Sequence, residues 1–383
     1  MVDMKCTFLP SQLSQGLSLV QRAVSQRSTL PVLGNVLIET VPGGLRLSAT
    51  NLDLAIVNTV PAEVSKEGKT SVPAKLLADY IGSLLDVPCT MELDSHGRVL
   101  NLSCGLHKTK LHVIDPSEFP PLPLAEGGTS VIVDGKTFAA GVAQTVIAAS
   151  NDETERVYTG VRIKVDPAAQ TVTLAATDRH RLALKTLPAK EFPEGDEQLI
   201  VIVPAKHLQE VARAVNDERN EVAIALGGTT SFVTFTVGDV VVTTRTIEGR
   251  YPKVEQAIPD AAGTTVVLPT AELRREAKTA SILAREESNP VRMSISNGTV
   301  VLTAWSSDVG DDEVPIPADV TGEGLEISFN SGYFLAALEA LDSDTVHMSF
   351  NKAEEPGTIR PHGREDYVYL LMPVLHPALR PSL

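Results

Sequence analysis

Apolar side chains recur along this chain in two rhythms. Over 8–24, 133–150 and 268–285 they return every three to four residues, which predicts amphipathic helices. In the last of these, Pro269-Thr270 precedes Glu272, a composition suited to a helix N-terminus. A second helical set follows short apolar or β-branched runs. Ser71-Val72-Pro73-Ala74-Lys75 opens onto Leu76, Leu77, Tyr80 and Ile81. Ile202-Val203-Pro204-Ala205-Lys206 opens onto Leu208, Val211 and Val215, and Ser328-Phe329-Asn330-Ser331-Gly332 onto Tyr333, Leu335, Leu338 and Leu341. Strict alternation, as at Val233, Phe235 and Val237 and again over 240–244, predicts strands.

These patterns occur three times in one order. A strand-like motif reads Leu45-Arg46-Leu47-Ser48-Ala49-Thr50-Asn51, then Val172-Thr173-Leu174-Ala175-Ala176-Thr177-Asp178, then Val300-Val301-Leu302-Thr303-Ala304-Trp305-Ser306. Ala49 and Ala176 are 127 residues apart, and Ala176 and Ala304 are 128 apart. The thirds also close alike, on Phe119-Pro120, Tyr251-Pro252 and Met372-Pro373. Each motif alone is weak, but three motifs at one period are the signature of repeated units. The expected organisation is α+β: three like domains, 1–127, 128–258 and 259–383, each with two helices and several strands. Turn formers mark the breaks near Glu126-Gly127-Gly128 and Pro259-Asp260-Ala261-Ala262-Gly263.

Composition narrows the classes. With 383 residues, 43% hydrophobic and 21% charged, the chain reads as an ordinary globular protein. No run approaches the length of a membrane span, and Met1-Val2-Asp3-Met4-Lys5 lacks the start of an export signal. Three scattered cysteines, Cys6, Cys89 and Cys104, predict neither a disulfide framework nor a zinc site, and suit a reducing cytoplasm. The net charge of −15 argues against tight binding of nucleic acid over the whole surface. Most of the excess lies in residues 259–383, which hold 9 Lys and Arg against 19 Asp and Glu. Basic residues nevertheless mark the helical regions: Arg22 and Arg27, Lys75, Lys206 and Arg213, and Arg274, Arg275, Lys278 and Arg285. Solvated helix faces account for them, or one helix-built surface faces something anionic.

Catalytic signatures are sparse. There is no phosphate loop, no Gly-x-Ser-x-Gly elbow and no His-Glu-x-x-His motif. The histidines form no ligand cluster, so no metal and no cofactor are expected. Asp178-Arg179-His180-Arg181 could make a dyad in which Asp178 orients His180 as a base. No nucleophile or metal stands near it, and Asp178 directly after a strand-like run suits a turn.

Read together, Thr29-Leu30-Pro31-Val32-Leu33-Gly34-Asn35, Ala49-Thr50-Asn51-Leu52-Asp53, Val72-Pro73-Ala74-Lys75, Ala176-Thr177-Asp178 with His180-Arg181-Leu182, Gly249-Arg250-Tyr251-Pro252, Phe329-Asn330 and Leu371-Met372-Pro373 resemble the bacterial sliding clamps, the β subunits of DNA polymerase III holoenzyme. The resemblance spans essentially the whole chain. It implies a non-catalytic processivity factor of three clamp-fold domains, closed head to tail as a homodimeric ring. Helices would line the hole and antiparallel sheets the outer wall. The implied partners are double-stranded DNA, encircled without sequence preference, and the replicative DNA polymerase, clamp loader and other proteins with a clamp-binding motif. The resemblance implies no membrane partner and a setting in the bacterial cytoplasm.

By position, the resemblance places a partner-peptide pocket at Thr177, His180, Arg181, Leu182, Pro252, Ala257, Pro356, Leu370, Leu371, Met372, Pro373 and Val374. It places DNA-facing cations at Arg27, Lys75, Arg156, Lys206 and Arg213. Ile282 and Leu283 would meet the strand with Thr109 and Leu111 of a second copy. Asp311, Asp312 and Glu313 could pair there with Lys108 and Lys110. Three features depart from the family pattern. Arg179 stands where glycine is usual, Thr109 where an aromatic would strengthen the seam, and residues 375–383 run past the usual end, where Leu379 or Leu383 could fold back on the pocket. The competing readings are a β-rich adaptor that never encircles DNA, and a hydrolase using Asp178 and His180.

Overall fold

In the computed structural model the described residues are 4–25, 29–122, 129–192, 197–226, 231–259, 261–284, 290–306 and 310–374. Six α-helices lie among them: α1 Pro10–Val20, α2 Ala74–Gly82, α3 Gly135–Val146, α4 Ala205–Ala214, α5 Thr270–Leu283 and α6 Ser331–Glu339. They fall two to each sequence third, where the three-to-four spacing placed them. Each turns its apolar stripe inward: α1 buries Leu13, Leu17 and Val20, and α4 buries Leu208, Val211 and Ala214. Proline starts α1 without loss, because the first N–H of a helix has no partner to lose. The Asn330 side chain caps α6 by accepting from Tyr333 N–H. The repeated strand motif becomes strands Gly44–Thr50, Thr171–Thr177 and Thr299–Ser306.

The chain divides into two compact units. The first comprises 1–139, 167–170 and 189–246, the second 140–166, 171–188 and 247–383. In the first, Glu63–Lys66, Lys5–Phe8, Cys89–Leu93, Val99–Cys104 and His107–His112 form one antiparallel sheet in that order. A larger sheet joins the first two sequence thirds, because Leu54–Pro61 pairs with Val240–Arg245. In the second unit, Arg181–Glu191 pairs with Tyr367–Leu371 and joins the second third to the last in the same way. That sheet continues through Gly357–Pro361, Thr345–Phe350 and Thr264–Pro269. A four-stranded sheet runs Gly310–Pro317, Thr299–Ser306, Pro290–Ser296, Leu325–Asn330.

The repeat extends to packing details that no short motif shows. Gly16 of α1 lies so close to the sheet that a Cβ would stand 2.5 Å from Val60 and 2.9 Å from Leu47. A Cβ on Gly141 of α3 would meet the matching pair, 3.1 Å from Leu187 and 3.4 Å from Leu174. The turn after the repeated strand is also built twice. Thr50 Oγ1 donates to Leu54 O and accepts from Leu52 N–H, and Thr177 Oγ1 does the same with Arg181 O and Arg179 N–H. Asn51 Oδ1 accepts from the N–H groups of Asp53 and Leu54, and Asp178 Oδ1 from those of His180 and Arg181. The middle residue is left-handed in both, φ +79° at Leu52 and +75° at Arg179.

One expectation is corrected. Cys89 and Cys104 form a disulfide, with Cα atoms 4.4 Å apart. They are 15 residues apart in sequence but directly opposite in the ladder between Cys89–Leu93 and Val99–Cys104. Spacing alone hides a cross-strand pair whose register is set by tertiary structure. Cys6 is free and buried.

Candidate partner-peptide site

The site builds around the ends of two paired strands in the second unit. Arg181 lies opposite Leu371 and Leu182 opposite Leu370. The ladder closes with Met372 N–H donating to His180 O at 2.9 Å. Strand alternation then sorts the side chains. Leu182 and Leu370 share one face and are nearly covered, at 3% and 4% exposure. Met372 follows them and is 39% exposed. His180 and Ala257 are exposed, Pro252, Pro356, Pro373 and Val374 are half-buried, and Thr177 is buried. Val374 N–H donates to Ser328 O and holds the chain after the strand.

Two positions expected in the pocket sit otherwise. Leu371 is fully buried, on the opposite sheet face from Leu370, so it packs inward and does not line a surface. Arg181 shares that face. Its guanidinium lies 4.1 Å over the Tyr333 ring, and its Nε donates to Asp178 Oδ2 at 2.9 Å. Asp178 thus spends both oxygens on its own turn and on Arg181, the turn role its sequence position suits.

Several supporting residues escape sequence reading. Tyr333 faces Arg181, although only the start of a helix marks it in the sequence. The hydroxyl of Tyr251 accepts from Thr177 N–H at 3.1 Å, placing the Tyr251-Pro252 segment beside the turn. Arg162, 5% exposed, donates to both oxygens of Glu255 at 2.5 and 3.2 Å and fixes the short helical turn Val254–Ala257. Burial pushes the Glu255 carboxyl up, but Arg162 outweighs it, and the group sits below its ordinary range. Arg179 reaches back to Glu155 at 2.7 Å and lies 5.6 Å over the Tyr158 ring, beside the mouth of the site.

The first unit contains the matching strand ends, differently furnished. Arg245 ends the strand paired to Leu54–Pro61, at the place Met372 takes beyond Tyr367–Leu371. It is tied to Asp53 at 3.0 Å and stacked 5.1 Å over Phe232. A paired, stacked cation replaces a pliable thioether, which is the better filler for varied apolar guests.

Comparison with known proteins gives this geometry its family. Models of the DNA polymerase III beta subunit match in tandem: the N-terminal domain over residues 4–123, the central domain over 132–253 and the C-terminal domain over 255–375. The chain belongs to the DNA polymerase III beta subunit family. A beta sliding clamp from Synechocystis sp. is 34% identical over 97% of this chain and 99% of its own. One from Streptomyces coelicolor is 33% identical over 94% and 96%. Among solved structures, the Bacillus subtilis clamp superposes with TM-score 0.91 at 27% identity, covering 97% of this chain and 99% of that one. A Pseudomonas aeruginosa clamp bound to griselimycin gives 0.90 at 27% identity, covering 97% and 100%. The fold is therefore the three-domain clamp fold, and the function that of a DNA polymerase processivity factor.

The remaining expected clamp residues are placed as follows. Lys75 on α2, Lys206 and Arg213 on α4, and Arg156 are exposed. Glu210 pairs with both Arg213 and Arg22, so part of that basic surface is already neutralised. Arg27, Arg285 and residues 375–383 lie outside the described residues, as does the break at 126–128. Lys108 and Lys110 are exposed on His107–His112, which is an edge strand of its sheet. On it Leu111 is 7% exposed, so it packs within its own sheet more than it projects. Thr109 donates to the Tyr80 hydroxyl at 2.6 Å, so an aromatic ring stands beside position 109 after all, supplied by α2. Gly310–Pro317, with Asp311, Asp312 and exposed Glu313, is likewise an edge strand, and Ile282 is 61% exposed on α5 while Leu283 is half-buried. Among the described residues no helix is long and apolar enough to cross a membrane, and no cluster of three or more His, Cys, Asp or Glu is placed to hold a metal.

Proposed function

We propose that this clamp closes head to tail as a homodimeric ring around duplex DNA and tethers partners through the strand-end site. The domains would be 1–127, 128–258 and 259–383, so two chains supply six like units. Partners would be the replicative DNA polymerase, the clamp loader and other proteins bearing a short extended motif with apolar anchors. The clamp itself would carry out no chemistry, in the bacterial cytoplasm on DNA. One observation carries the site: an exposed Met372 pinned to His180 beyond a floor of Leu182 and Leu370. An apolar floor with a pliable wall suits leucine and phenylalanine anchors. A peptide of Gln-Leu-x-Leu-Phe type is expected to bind with micromolar affinity in fluorescence polarisation. Met372→Ala and Leu182→Ala should each weaken it by roughly tenfold, in keeping with lost side-chain burial of about 1.4 kcal/mol. Wild-type affinity in both variants would remove the site from this position.

The two edge strands support the ring reading. Exposed sheet edges are normally covered or charged. Here one edge carries Lys108 and Lys110, and the other Asp312 and Glu313, so two copies offer each other opposite charges. Asp312 is half-buried and Glu313 exposed, and ion pairs at such a rim contribute about 0–1 kcal/mol each and set register more than strength. Ring lifetime on closed circular DNA should shorten several-fold between low and high salt. A salt-independent lifetime would rule out this electrostatic contribution. Exposed Lys75, Lys206, Arg213 and Arg156 would then meet phosphates weakly enough to let the ring slide.

A further inference from the structure

The sheet face that carries Leu182 and Leu370 continues into a polar recess. Thr358 lies directly opposite Leu370, Ser349 opposite Thr358, and His347 opposite Arg360. Strand alternation puts Thr358, Arg360, Ser349 and His347 on the Leu370 side of the sheet. Together with Pro356 and Glu365, these four side chains line a recess of about 210 Å³. Its charge balance is unusual. The Arg360 side chain is only 20% exposed, yet it is neutralised at 2.9 Å by Glu365, whose side chain is 89% exposed. The imidazoles of His347 and His362 stand 6.1 Å apart beside it. Burial, then His362 and Arg360, push the His347 pKa down, against the opposing pull of the Glu365 carboxylate.

A guanidinium held in a recess by a carboxylate that is itself exposed to solvent can exchange that carboxylate for another. Neighbouring strands lie about 4.8 Å apart, so Ser349 stands roughly 10 Å across the sheet from Leu370. That is about three residues of an extended chain.

We propose that this recess is an anion subsite of the partner-peptide cleft, where Arg360, with His347, Ser349 and Thr358, takes the carboxylate of an acidic residue about three positions from the anchor seated over Leu370. This rests on the partner-peptide reading above and adds a preference to it. The test is fluorescence polarisation on the full chain with five peptides: the apolar motif alone, and the motif carrying Glu-Glu or Gln-Gln three residues before or after its anchors. One Glu-Glu peptide should bind roughly fivefold more tightly than its Gln-Gln control, the scale of a charge-assisted bond partly screened by water. Arg360→Gln should abolish that gain and leave the bare motif unaffected, Arg360→Lys should retain part of it, and Glu365→Gln should enlarge it. The inference is overturned if neither acidic peptide beats its control, or if the gain survives Arg360→Gln. If the bare motif fails to bind, or ignores Leu182→Ala and Met372→Ala, the underlying site is what has failed, and the subsite falls with it.

Discussion

Gly357→Val is expected to destabilise the clamp by about 3 kcal/mol, at the upper end of overpacking costs. Gly357 lies opposite Leu371 in the strand that backs the proposed peptide site. Even a Cβ there would stand 2.6 Å from Phe350 Cε1 and 3.1 Å from Phe329 Cζ. Those rings cannot yield cheaply. Both are 2% exposed, and Phe329 also stacks on Phe334 with centroids 6.0 Å apart. Thermal unfolding should shift down by roughly 5–10 °C. Shrinking the obstacle should help, so Phe350→Leu added to Gly357→Val should cost less than the sum of the two single changes. Strict additivity would show that the steric account of Gly357 is wrong.

Asp366→Asn should cost about 2 kcal/mol. Lys185, 4% exposed along its side chain, donates to Asp366 at 2.5 Å, and Arg364 donates to both Asp366 oxygens at 3.0 and 2.9 Å. Removing the charge strands a buried ammonium, a loss that reaches about 3–5 kcal/mol when both partners are enclosed. Asp366 is 38% exposed, which reduces it. Lys185→Met, of similar length but apolar, should be nearly neutral, because an exposed carboxylate keeps its water and its Arg364 bonds. The pH dependence has a definite sign. The Arg364 hydrogen bond, then Lys185, hold the Asp366 carboxyl far below the usual carboxylate range, against the opposing effect of burial. An unfolded aspartate titrates near about 3.9. The stabilisation is therefore complete above pH ~5 and is lost as pH falls through about 4 and lower. Denaturant titrations at pH 7 and pH 3 should show the gap between wild type and Asp366→Asn narrowing in acid. A constant gap would mean that the substitution acts through packing.

Local patterns were legible, and distant pairings were not. Spacing located all six helices, trimmed at the ends to Pro10–Val20, Gly135–Val146 and Thr270–Leu283 where the expected spans ran longer. Helix ends fray into turns whose apolar pattern continues, so periodicity overruns them. The Cys89–Cys104 bridge, the Arg181–Tyr333 stack and the burial of Leu371 depend on which strand lies beside which, and nothing local records that. The candidate pocket is proposed through resemblance to a family. Without it, Leu370 to Val374 reads as a buried terminal strand, and for Leu371 that reading is correct.

The twin turns have a consequence for how partner choice can change. At both, hydroxyl and carboxamide or carboxylate oxygens hold the loop in its left-handed shape, so the middle position does not depend on glycine. Leu52 and Arg179 occupy it with side chains of quite different chemistry. At residue 179 that side chain stands at the mouth of the proposed peptide site. Lineages can therefore vary what the mouth presents, cationic, apolar or nothing, while the scaffold behind it keeps the same hydrogen bonds. Divergence of preference is thereby uncoupled from divergence of fold.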